Sequence, residues 1–392
     1  MKPAYYQQYL EFALGVPFTH GNHILPLKNG VEIFPAMLDA IAKAKDSIEF
    51  LTHVYWQGDI ALQFARALAE RAEAGVRVRV LLDAYGARAI SPECLEELKT
   101  SAVELRWFRP LRTIRVWRTD KRTHRKIMLV DKTCGFTGGV GIADEWCGDA
   151  RSADEWRDTH FQIVGPAVAG LNAAFLDNWN EAGAWSSDKP KETYGVSAPG
   201  SPASEGAVVD TSVQIVRSSS TVEWTEAASM FRVFVAMATE SLTIVTPYFV
   251  PDDTLVLQLC NAVKRGVDVQ IMLPGAHCDS RLSQLAGFTS IETLLNAGVR
   301  IYQYNQTLLH LKLLIVDGVL SSVGSTNLNH RSMGKDEECN ANIVSKELAS
   351  VLMKHFDDDT QEAELLSPER WRSRSILLRV REFAARLLIE QL

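Results

Sequence analysis

The sequence contains two copies of a pattern in which a histidine, a lysine and an aspartate recur at fixed spacing. The copies are His124, Lys126 and Asp131, and His310, Lys312 and Asp317. On a β-strand, residues two apart point to the same side, so each copy presents an imidazole and an ammonium together. One imidazole could attack phosphorus while the other protonates the leaving alkoxide, and the lysines could neutralise the phosphoryl oxygens. The pattern therefore indicates substitution at phosphorus.

A turn of small residues begins seven residues after each aspartate. The turns are residues 138–141, Gly-Gly-Val-Gly, and residues 324–327, Gly-Ser-Thr-Asn, which let the backbone approach a ligand closely. A lone His-x-Lys on a buried strand is more often a packing feature than a catalytic one. Two in-phase copies are costly to bury unless they share an anionic ligand, so the doubled pattern favours a catalytic site.

The remainder of the chain repeats in step with this pattern, which indicates an internal duplication. Residues 47–52 and 75–82 of the first half match residues 241–246 and 266–273 of the second. Short β-branched runs alternate with helix-type spacing of apolar residues, an order typical of α/β architecture. The helical spacing occurs at Phe34, Met37, Leu38 and Ile41, and at Leu255, Leu259, Ala262 and Val263.

The predicted fold class is α/β, with two duplicated units of mixed β-sheet and helix. The chain of 392 residues is long enough for two such units. We expect the first at residues 1–190 and the second at residues 207–392, the latter ending in an amphipathic helix. Residues 191–206 are rich in Ser, Pro, Gly and Ala and are predicted to be a linker.

The composition argues against several classes of protein. With 46% hydrophobic and 23% charged residues, the chain has the composition of an ordinary globular protein. Its six cysteines form no C-x-x-C pair, so we expect free thiols and no structural zinc. No run approaches the roughly 20 apolar residues of a spanning helix, and no secretory signal is expected. The net charge of −7 disfavours a general nucleic-acid binder.

Two segments could reach a membrane surface. Residues 109–126 carry six Arg and two Lys against one Asp, beside Trp107, Phe108 and Trp117, which fits anionic headgroups. The alternative is a solvated segment paired with acidic surface. Near the C-terminus, one helical face carries Ile376, Leu377, Val380, Phe383, Ala384, Leu387 and Leu388. Membrane contact and docking onto the core are both open for this helix.

The doubled motif, the turns and the duplication resemble the phospholipase D superfamily. Residues 246–251, 264–267, 310–312 and 324–332 are similar to bacterial cardiolipin synthases. The resemblance implies a mixed α/β fold repeated about a pseudo-twofold axis, with one active site at the interface of the units and no metal or other cofactor. One departure is Gly141, where members of the family often have Asn, which predicts weaker phosphate binding on the first side or binding through backbone amides.

The resemblance also implies roles for individual residues. His124 is expected to be the nucleophile and His310 the general acid and then base, although the two could be exchanged. Lys126, Lys312 and Asn327 would hold the phosphate, with Ser325 and Gly139 contributing from the turns. Asp158 and Glu338, with Glu337 as an alternative, would orient the histidines. Asp131 and Asp317 belong to the catalytic motif, and their place at a strand end also fits turn structure.

The leading interpretation is a phosphatidyltransferase, with phosphatidylglycerol as donor and a lipid alcohol as acceptor, as in cardiolipin synthesis. The runner-up is a hydrolase of the same superfamily, a phospholipase D or, less in keeping with the acidic chain, a nuclease. We expect a cytoplasmic protein bound peripherally to the anionic surface of the inner membrane, with no nucleic-acid partner. The acceptor and the oligomeric state are left open. Residues that could line the pocket are His53, Tyr248, His277 and Asp279.

Overall fold

The computed structural model describes residues 2–110, 121–183, 204–219 and 226–387. Helix α1 (Pro3–Leu14) comes first and is followed by the first repeat, which runs from β1 to α5. The elements of the first repeat are β1 (Thr19–Lys28), α2 (Asn29–Lys43), β2 (Ser47–Thr52), α3 (Asp59–Glu73), β3 (Arg77–Asp83), α4 (Pro92–Thr100), β4 (Glu104–Phe108), β5 (Ile127–Val130), β6 (Cys134–Gly138), β7 (Thr159–Val164) and α5 (Val168–Gly183).

The second repeat has the same order of elements, except that a short α-helix lies between its sixth and seventh strands, and it continues into one further strand and two helices. Its elements are β8 (Val208–Ser218), α6 (Glu226–Met237), β9 (Ser241–Val245), α7 (Asp253–Lys264), β10 (Asp268–Pro274), α8 (Arg281–Ala297), β11 (Arg300–Tyr304), β12 (Leu313–Val316), β13 (Leu320–Gly324), α9 (His330–Gly334), β14 (Glu338–Val344), α10 (Lys346–Thr360), β15 (Ala363–Leu365), α11 (Pro368–Arg372) and α12 (Ile376–Arg386).

The fifteen described strands form one sheet, and the two repeats occupy its two halves. At the centre, β1 pairs antiparallel with β8. Outward from this pair the order is β7, β6, β5, β2, β3 and β4 on one side. On the other side it is β14, β13, β12, β9, β10 and β11, with β15 at the edge. Equivalent strands therefore lie at equal distances from the centre, as a pseudo-twofold axis between β1 and β8 requires. The predicted fold class is confirmed.

The strands that carry the motifs are buried on both faces of the sheet. In β5, Ile127 and Leu129 belong to a hydrophobic cluster shared by both repeats, which helices α5 and α10 cover. Met128 and Val130 point the other way, into a cluster confined to the first repeat. The alternation follows from the two-residue period of a strand. Because both faces are packed, the short segment that precedes β5 is held in a fixed position.

The predicted division into units remains a prediction. Most of the expected linker at 191–206 lies outside the described residues, apart from 204–206. Helix α1 comes before the first repeat in the chain but contacts the second. The Tyr6 hydroxyl donates to Asp317 Oδ2 at 2.8 Å, and Tyr6 and Leu10 are buried in the core of the second repeat.

Candidate active site

The two His-x-Lys pairs lie in the segments that end directly before β5 and before β12. Each lysine is the last residue before its strand. Backbone hydrogen bonds attach each segment to the opposite repeat. The His124 amide donates to the Glu337 carbonyl at 2.9 Å, and the His310 amide donates to the Arg157 carbonyl at 2.8 Å. Each histidine is thereby held beside the segment of the other repeat that carries its acidic partner.

The acidic partners are exchanged between the repeats. His310 Nδ1 lies 2.9 Å from Asp158 Oδ2, and His124 Nδ1 lies 3.0 Å from Glu338 Oε1. All four side chains are largely or wholly withdrawn from solvent. A carboxylate that accepts from Nδ1–H fixes the tautomer and leaves the Nε2 lone pair free. His124 therefore presents Nε2 as its reactive atom, and in His310 Nε2 is the ring nitrogen that does not bind the carboxylate.

The two lysines bind beside the imidazoles that precede them. Lys126 Nζ donates to the His124 carbonyl at 2.7 Å, and Lys312 Nζ donates to the His310 carbonyl at 2.6 Å. Lys312 Nζ also lies 2.9 Å from Nδ1 and 3.0 Å from Nε2 of the His310 ring. Two ammonium groups are thus concentrated beside two imidazoles, an arrangement suited to an anionic ligand.

Burial and mutual repulsion shift the titration of this cluster. Burial, together with Lys126, holds the pKa of His124 well below its usual range. Burial lowers the pKa of Lys126 to about 7 and that of Lys312 to about 8. Burial and Lys312 lower the pKa of His310 to about 4, although Asp158 opposes them. A bound phosphodiester would favour the protonated form of every one of these groups, because its charge is opposite to theirs.

The two acids differ in how firmly they keep their charge. Burial alone would raise the pKa of Asp158, but the hydrogen bond from His310 and the charge of Lys312 bring it to about 2. Burial raises the pKa of Glu338, and Lys126 compensates only in part. Asp158 is therefore the stronger anion of the pair, and it can stabilise an imidazolium at His310.

The small-residue turns support these acids from behind. A Cβ atom at Gly139 would lie 2.5 Å from Asp158 Oδ2, so only glycine leaves room for this carboxylate. At the equivalent position of the second repeat, the Ser325 hydroxyl donates to Glu338 Oε2. Neither Gly139 nor Ser325 lines the cavity. The structure places both residues next to the acids and outside the lining of the cavity.

Asn327 lies where the sequence predicts a phosphate ligand. It lines the cavity and is 3% exposed. Its Oδ1 atom has no hydrogen-bond partner among the residues that the structure describes. A buried amide with an unused end is available to a bound ligand. The first repeat has Gly141 at this position, where a Cβ would lie 2.6 Å from Val54 Cβ, so no side chain fits there.

Asp131 and Asp317 do not enter the site. Each follows its strand at the end away from the histidine and adopts a left-handed backbone conformation, with φ of 51°. Asp131 Oδ1 accepts from the backbone amides of Asp46 at 2.7 Å and Ser47 at 3.0 Å, directly before β2. Asp317 accepts from Glu240 and Ser241 in the same way, before β9. These carboxylates fix the turns that lead into β2 and β9, so the geometry does not support a catalytic role for them.

Replacing Asp131 or Asp317 with alanine is expected to lower stability. Each change leaves several backbone amides unpaired and removes a charged acceptor, at a cost of about 1–3 kcal/mol. Asparagine retains one acceptor oxygen and tolerates the left-handed conformation, so it is expected to cost less than alanine. Urea unfolding and kcat/KM measured on the same preparations check this. A large loss of activity at unchanged stability would place the carboxylate in the chemistry.

A cavity of about 680 Å³ opens above both histidines. Three of the four residues suggested from the sequence line it, namely His53, Tyr248 and Asp279, whereas His277 does not. Cavity-lining residues that the sequence did not single out include Val54, Trp56, Tyr85, Arg88, Trp146, Trp156, Ser280 and Ser283. No motif marks these residues, because they come from separate loops.

Aromatic rings surround His310 in particular. The Trp146 ring is 5.2 Å from the imidazole ring and nearly perpendicular to it, and the Trp156 ring is 5.6 Å away. Trp146 Nε1 donates to Asp158 Oδ2 at 3.1 Å. The tryptophans exclude water from the His310–Asp158 pair and add a donor to the carboxylate. On the opposite side, the His53 ring packs edge-on against His124 at 5.2 Å.

The predicted basic surface patch at 109–126 is only partly within the described residues, since 111–120 fall outside them. The side chains of three of its arginines are buried. Arg109 pairs with Glu181 and Glu337, and Arg122 pairs with Asp83 at 3.0 Å. Arg125 is fully buried. The interpretation of a lipid-facing patch is therefore wrong for these three side chains, which stabilise the interior next to the site.

A family model described as "Cardiolipin synthase, PLD-like domain" matches residues 37–148 and 233–360, one segment in each repeat. The chain belongs to this family. Each of the two matched segments contains one complete His-Lys-Asp motif. The duplication seen in the sheet is therefore also a duplication of the domain that defines this cardiolipin synthase family.

Individual relatives agree with this assignment to the cardiolipin synthase family. The major cardiolipin synthase ClsA of Bacillus subtilis (strain 168) is 32% identical over 373 residues, covering 95% of this chain and 76% of the relative. A cardiolipin synthase of Geobacillus kaustophilus (strain HTA426) is 31% identical over 373 residues, covering 95% and 73%. The predicted membership of the phospholipase D superfamily, with likeness to bacterial cardiolipin synthases, is confirmed, and so is the prediction of an enzyme.

The fold extends to a solved structure of low sequence identity. The crystal structure of phosphatidylserine synthase from Haemophilus influenzae Rd KW20 superposes with a TM-score of 0.75 at 15% identity, covering 98% of this chain and 99% of that one. At this identity the likeness concerns the fold alone. Among the described residues, no helix is both long and apolar enough to cross a membrane.

Proposed function

We propose that this member of the cardiolipin synthase family transfers a phosphatidyl group from phosphatidylglycerol to a lipid alcohol and so forms cardiolipin. The observation that carries the proposal is the pair of imidazoles over one cavity, each bound through Nδ1 to a carboxylate of the other repeat. Two lysines and Asn327 supply the donors for a phosphate. The cardiolipin synthases among its relatives favour a phospholipid substrate.

In the first step, His124 Nε2 attacks phosphorus, and the bond from phosphorus to the head-group oxygen breaks as the P–N bond forms. The departing alkoxide takes the proton of His310. In the second step, the acceptor alcohol gives its proton to His310 and its oxygen attacks phosphorus, which releases His124. Lys126 and Lys312 neutralise the charge that develops on the phosphoryl oxygens.

The unequal acids support this assignment of roles. The general acid must hold a proton next to an anionic substrate, and Asp158 keeps its charge and stabilises the imidazolium of His310. The nucleophile must be neutral, and burial with the neighbouring cations holds the pKa of His124 well below its usual range. Burial lowers the pKa values of both imidazoles, so the difference between the two sides lies in the firm charge of Asp158, which favours the imidazolium at His310.

The proposal is tested by mass spectrometry of lipids after incubation of the protein with vesicles of phosphatidylglycerol and phosphatidylethanolamine. Cardiolipin as the product supports it, and glycerol or ethanolamine in the medium shows which lipid is the donor. Phosphatidic acid alone would contradict the transferase and indicate a phospholipase D, in which water resolves the intermediate. No lipid turnover would contradict both.

The contacts of helix α12 bear on the two alternatives for the C-terminus, membrane contact and docking onto the core. It docks onto the core through a polar and small face, on which Ala385 contacts Val250 and Ala286, and Glu382 pairs with Arg374 at 2.8 Å. Its apolar face points outward. The exposed side chains, at 59% to 81% exposure, are Ile376, Leu377, Val380, Phe383 and Leu387.

We propose that this apolar face lies on an anionic membrane surface and brings the cavity to its lipid. The helix packs against α8, with Arg379 bound to Glu292 and Ala385 next to Ala286, so its C-terminal end points towards the start of α8. Ser280 and Ser283 at that start line the cavity. Arg381 is exposed beside the apolar face, as expected for an interfacial helix on anionic lipid. The predicted location, the cytoplasmic side of the inner membrane, is part of this proposal.

Replacing Val380 and Phe383 together with serine is expected to weaken binding to phosphatidylglycerol-containing vesicles at least about tenfold. The change removes apolar area that the bilayer would bury, and each side chain contributes about 1.5–3 kcal/mol. The melting temperature is expected to stay unchanged, since both side chains are exposed. Vesicle flotation measures the binding.

The matched control for this double variant is Val31→Ser, which changes an exposed valine on α2 of the first repeat. It should bind vesicles as the unaltered protein does. Unchanged binding of the double variant together with a lower melting temperature would show that the apolar face packs against protein.

A further inference from the structure

The duplication is broken in the segments that line the cavity after β2 and β9. Thr52 Oγ1 donates to the Val54 carbonyl at 2.9 Å, and Thr246 Oγ1 donates to the Tyr248 carbonyl at 3.1 Å, so the two backbones are equivalent. Val54 of the first repeat thus corresponds to Tyr248 of the second, and His53 corresponds to Pro247. The side chains differ although the backbones match, which gives the two ends of the cavity different chemistry.

The end formed by the second repeat carries a hydroxyl and a carboxylate. The Tyr248 hydroxyl donates to Asp279 Oδ2, and both residues line the cavity. Asp279 is exposed to solvent and has no Lys, Arg or His within ion-pair distance among the described residues. In the first repeat, the corresponding loop between the third strand and the next helix instead places Arg88 on the cavity. At corresponding loops the first repeat therefore places a guanidinium on the cavity and the second a carboxylate, which makes the Tyr248–Asp279 side its acidic end.

The acidic end lies on the side of His310. The Tyr248 ring is 6.5 Å from the His310 ring. Burial lowers the pKa values of His310 and Lys312, and the charge of Asp279 is among those that oppose this lowering in both residues. In an in-line displacement the departing alcohol leaves opposite the nucleophile, next to the general acid. The alcohol and the Tyr248–Asp279 pair therefore share one side of the site.

We propose that Tyr248 and Asp279 form the subsite for the head-group alcohol, which leaves from the donor and is replaced by the acceptor. A carboxylate repels phosphate but accepts strongly from a hydroxyl or an ammonium, so the ligand class is an alcohol with an additional hydrogen-bond donor. Glycerol and ethanolamine head groups both meet this description. The inference rests on the proposed function and assigns the part of the substrate that this end of the cavity recognises.

The catalytic test compares soluble acceptors that differ only in the additional donor. We expect the kcat/KM ratio of glycerol to 1-propanol, or of ethanolamine to ethanol, to fall about tenfold in Asp279→Asn, with a smaller fall in Tyr248→Phe. A fall in the first ratio assigns a hydroxyl, and a fall in the second assigns an ammonium. The control is Asp357→Asn, an exposed carboxylate on α10. Unchanged ratios in Asp279→Asn would overturn the proposal.

A binding test separates this proposal from the proposed function. Calorimetry with His124→Ala, which lacks the proposed nucleophile, measures three water-soluble glycerophosphodiesters with glycerol, ethanolamine or propyl head groups. We expect one of the first two to bind about tenfold more tightly than the propyl diester and to lose this preference when Asp279→Asn is added. Equal binding, or no binding, would refute the subsite even if lipids are turned over. A preference in this variant, together with no phosphatidyl transfer by the unaltered protein, would refute the proposed function alone.

Discussion

Replacing His124 or His310 with alanine is expected to lower phosphatidyl transfer about 10⁴-fold or more, and the two variants are expected to fail for different reasons. Without His124 Nε2 no P–N bond can form, so neither step proceeds. Without His310 the imidazole of His124 can still attack, but the head-group alkoxide lacks its proton. The two losses are similar with natural lipids, because each variant lacks one group that the first step needs.

A donor with a good leaving group distinguishes the two histidines. A phosphatidyl ester of p-nitrophenol does not need a protonated leaving group, so His310→Ala is expected to release one equivalent of nitrophenolate and keep the phosphatidyl group on His124. The mass of the intact protein then increases by one phosphatidyl group. His124→Ala is expected to show neither the burst nor the adduct, whereas His20→Ala, at an exposed histidine on β1, should turn over normally.

The opposite pattern, with the adduct in His124→Ala, would mean that the two roles are exchanged. The doubled motif alone cannot decide this, since both copies have the same spacing. The distinction comes from contacts outside the motif. Asp158 keeps a firm charge beside His310, while His53 packs against His124. These residues lie far from the motifs in sequence, and only the fold brings them into contact.

The sequence predicted the sheet and the central residues because those depend on local periodicity. Alternation along β5 and β12, and the equal spacing of the two halves, were sufficient for the duplicated α/β fold and for pairing each histidine with its lysine. Asp131 was grouped with them because it belongs to the same motif. Strand β5 lies between Lys126 and Asp131 and is four residues long, at roughly 3.3 Å per residue. This length places the Asp131 carboxylate in a turn and outside the cavity.

Contacts between distant segments were beyond such reasoning. The apolar face of α12 could be recognised from its spacing, but the face that docks is decided by Ala385 against Val250 and by Glu382 with Arg374. Burying a glutamate and leaving a phenylalanine outside contradicts the usual expectation for a docked helix. Likewise, the sequence predicted Arg109 and Arg122 to be surface charges, whereas in the structure they pair with Glu181 and Asp83.

Replacing Asp158 with asparagine is expected to lower kcat/KM by about 10²- to 10⁴-fold and to change its dependence on pH. The amide oxygen accepts from His310 Nδ1–H more weakly than a carboxylate does, and it provides no charge for the imidazolium. It also removes the negative charge that raises the pKa of Lys312 against the effect of burial. Because phosphate binding needs protonated lysines, kcat/KM falls as pH rises through the range in which they lose their protons. In Asp158→Asn this fall should begin at lower pH.

Glu338→Gln is the matched variant on the other side of the exchange. Its charge is the largest of those that raise the pKa of Lys126, so the variant should shift the alkaline fall through Lys126 instead. Asp39→Asn, at an exposed carboxylate on α2, should change neither the rate nor the profile. A profile that keeps its shape in both active-site variants would contradict the electrostatic role and leave only positioning of the rings. Because Asp158 comes from the first repeat and acts on a histidine of the second, and Glu338 does the reverse, a shifted profile in both variants would show that neither repeat contains a complete site.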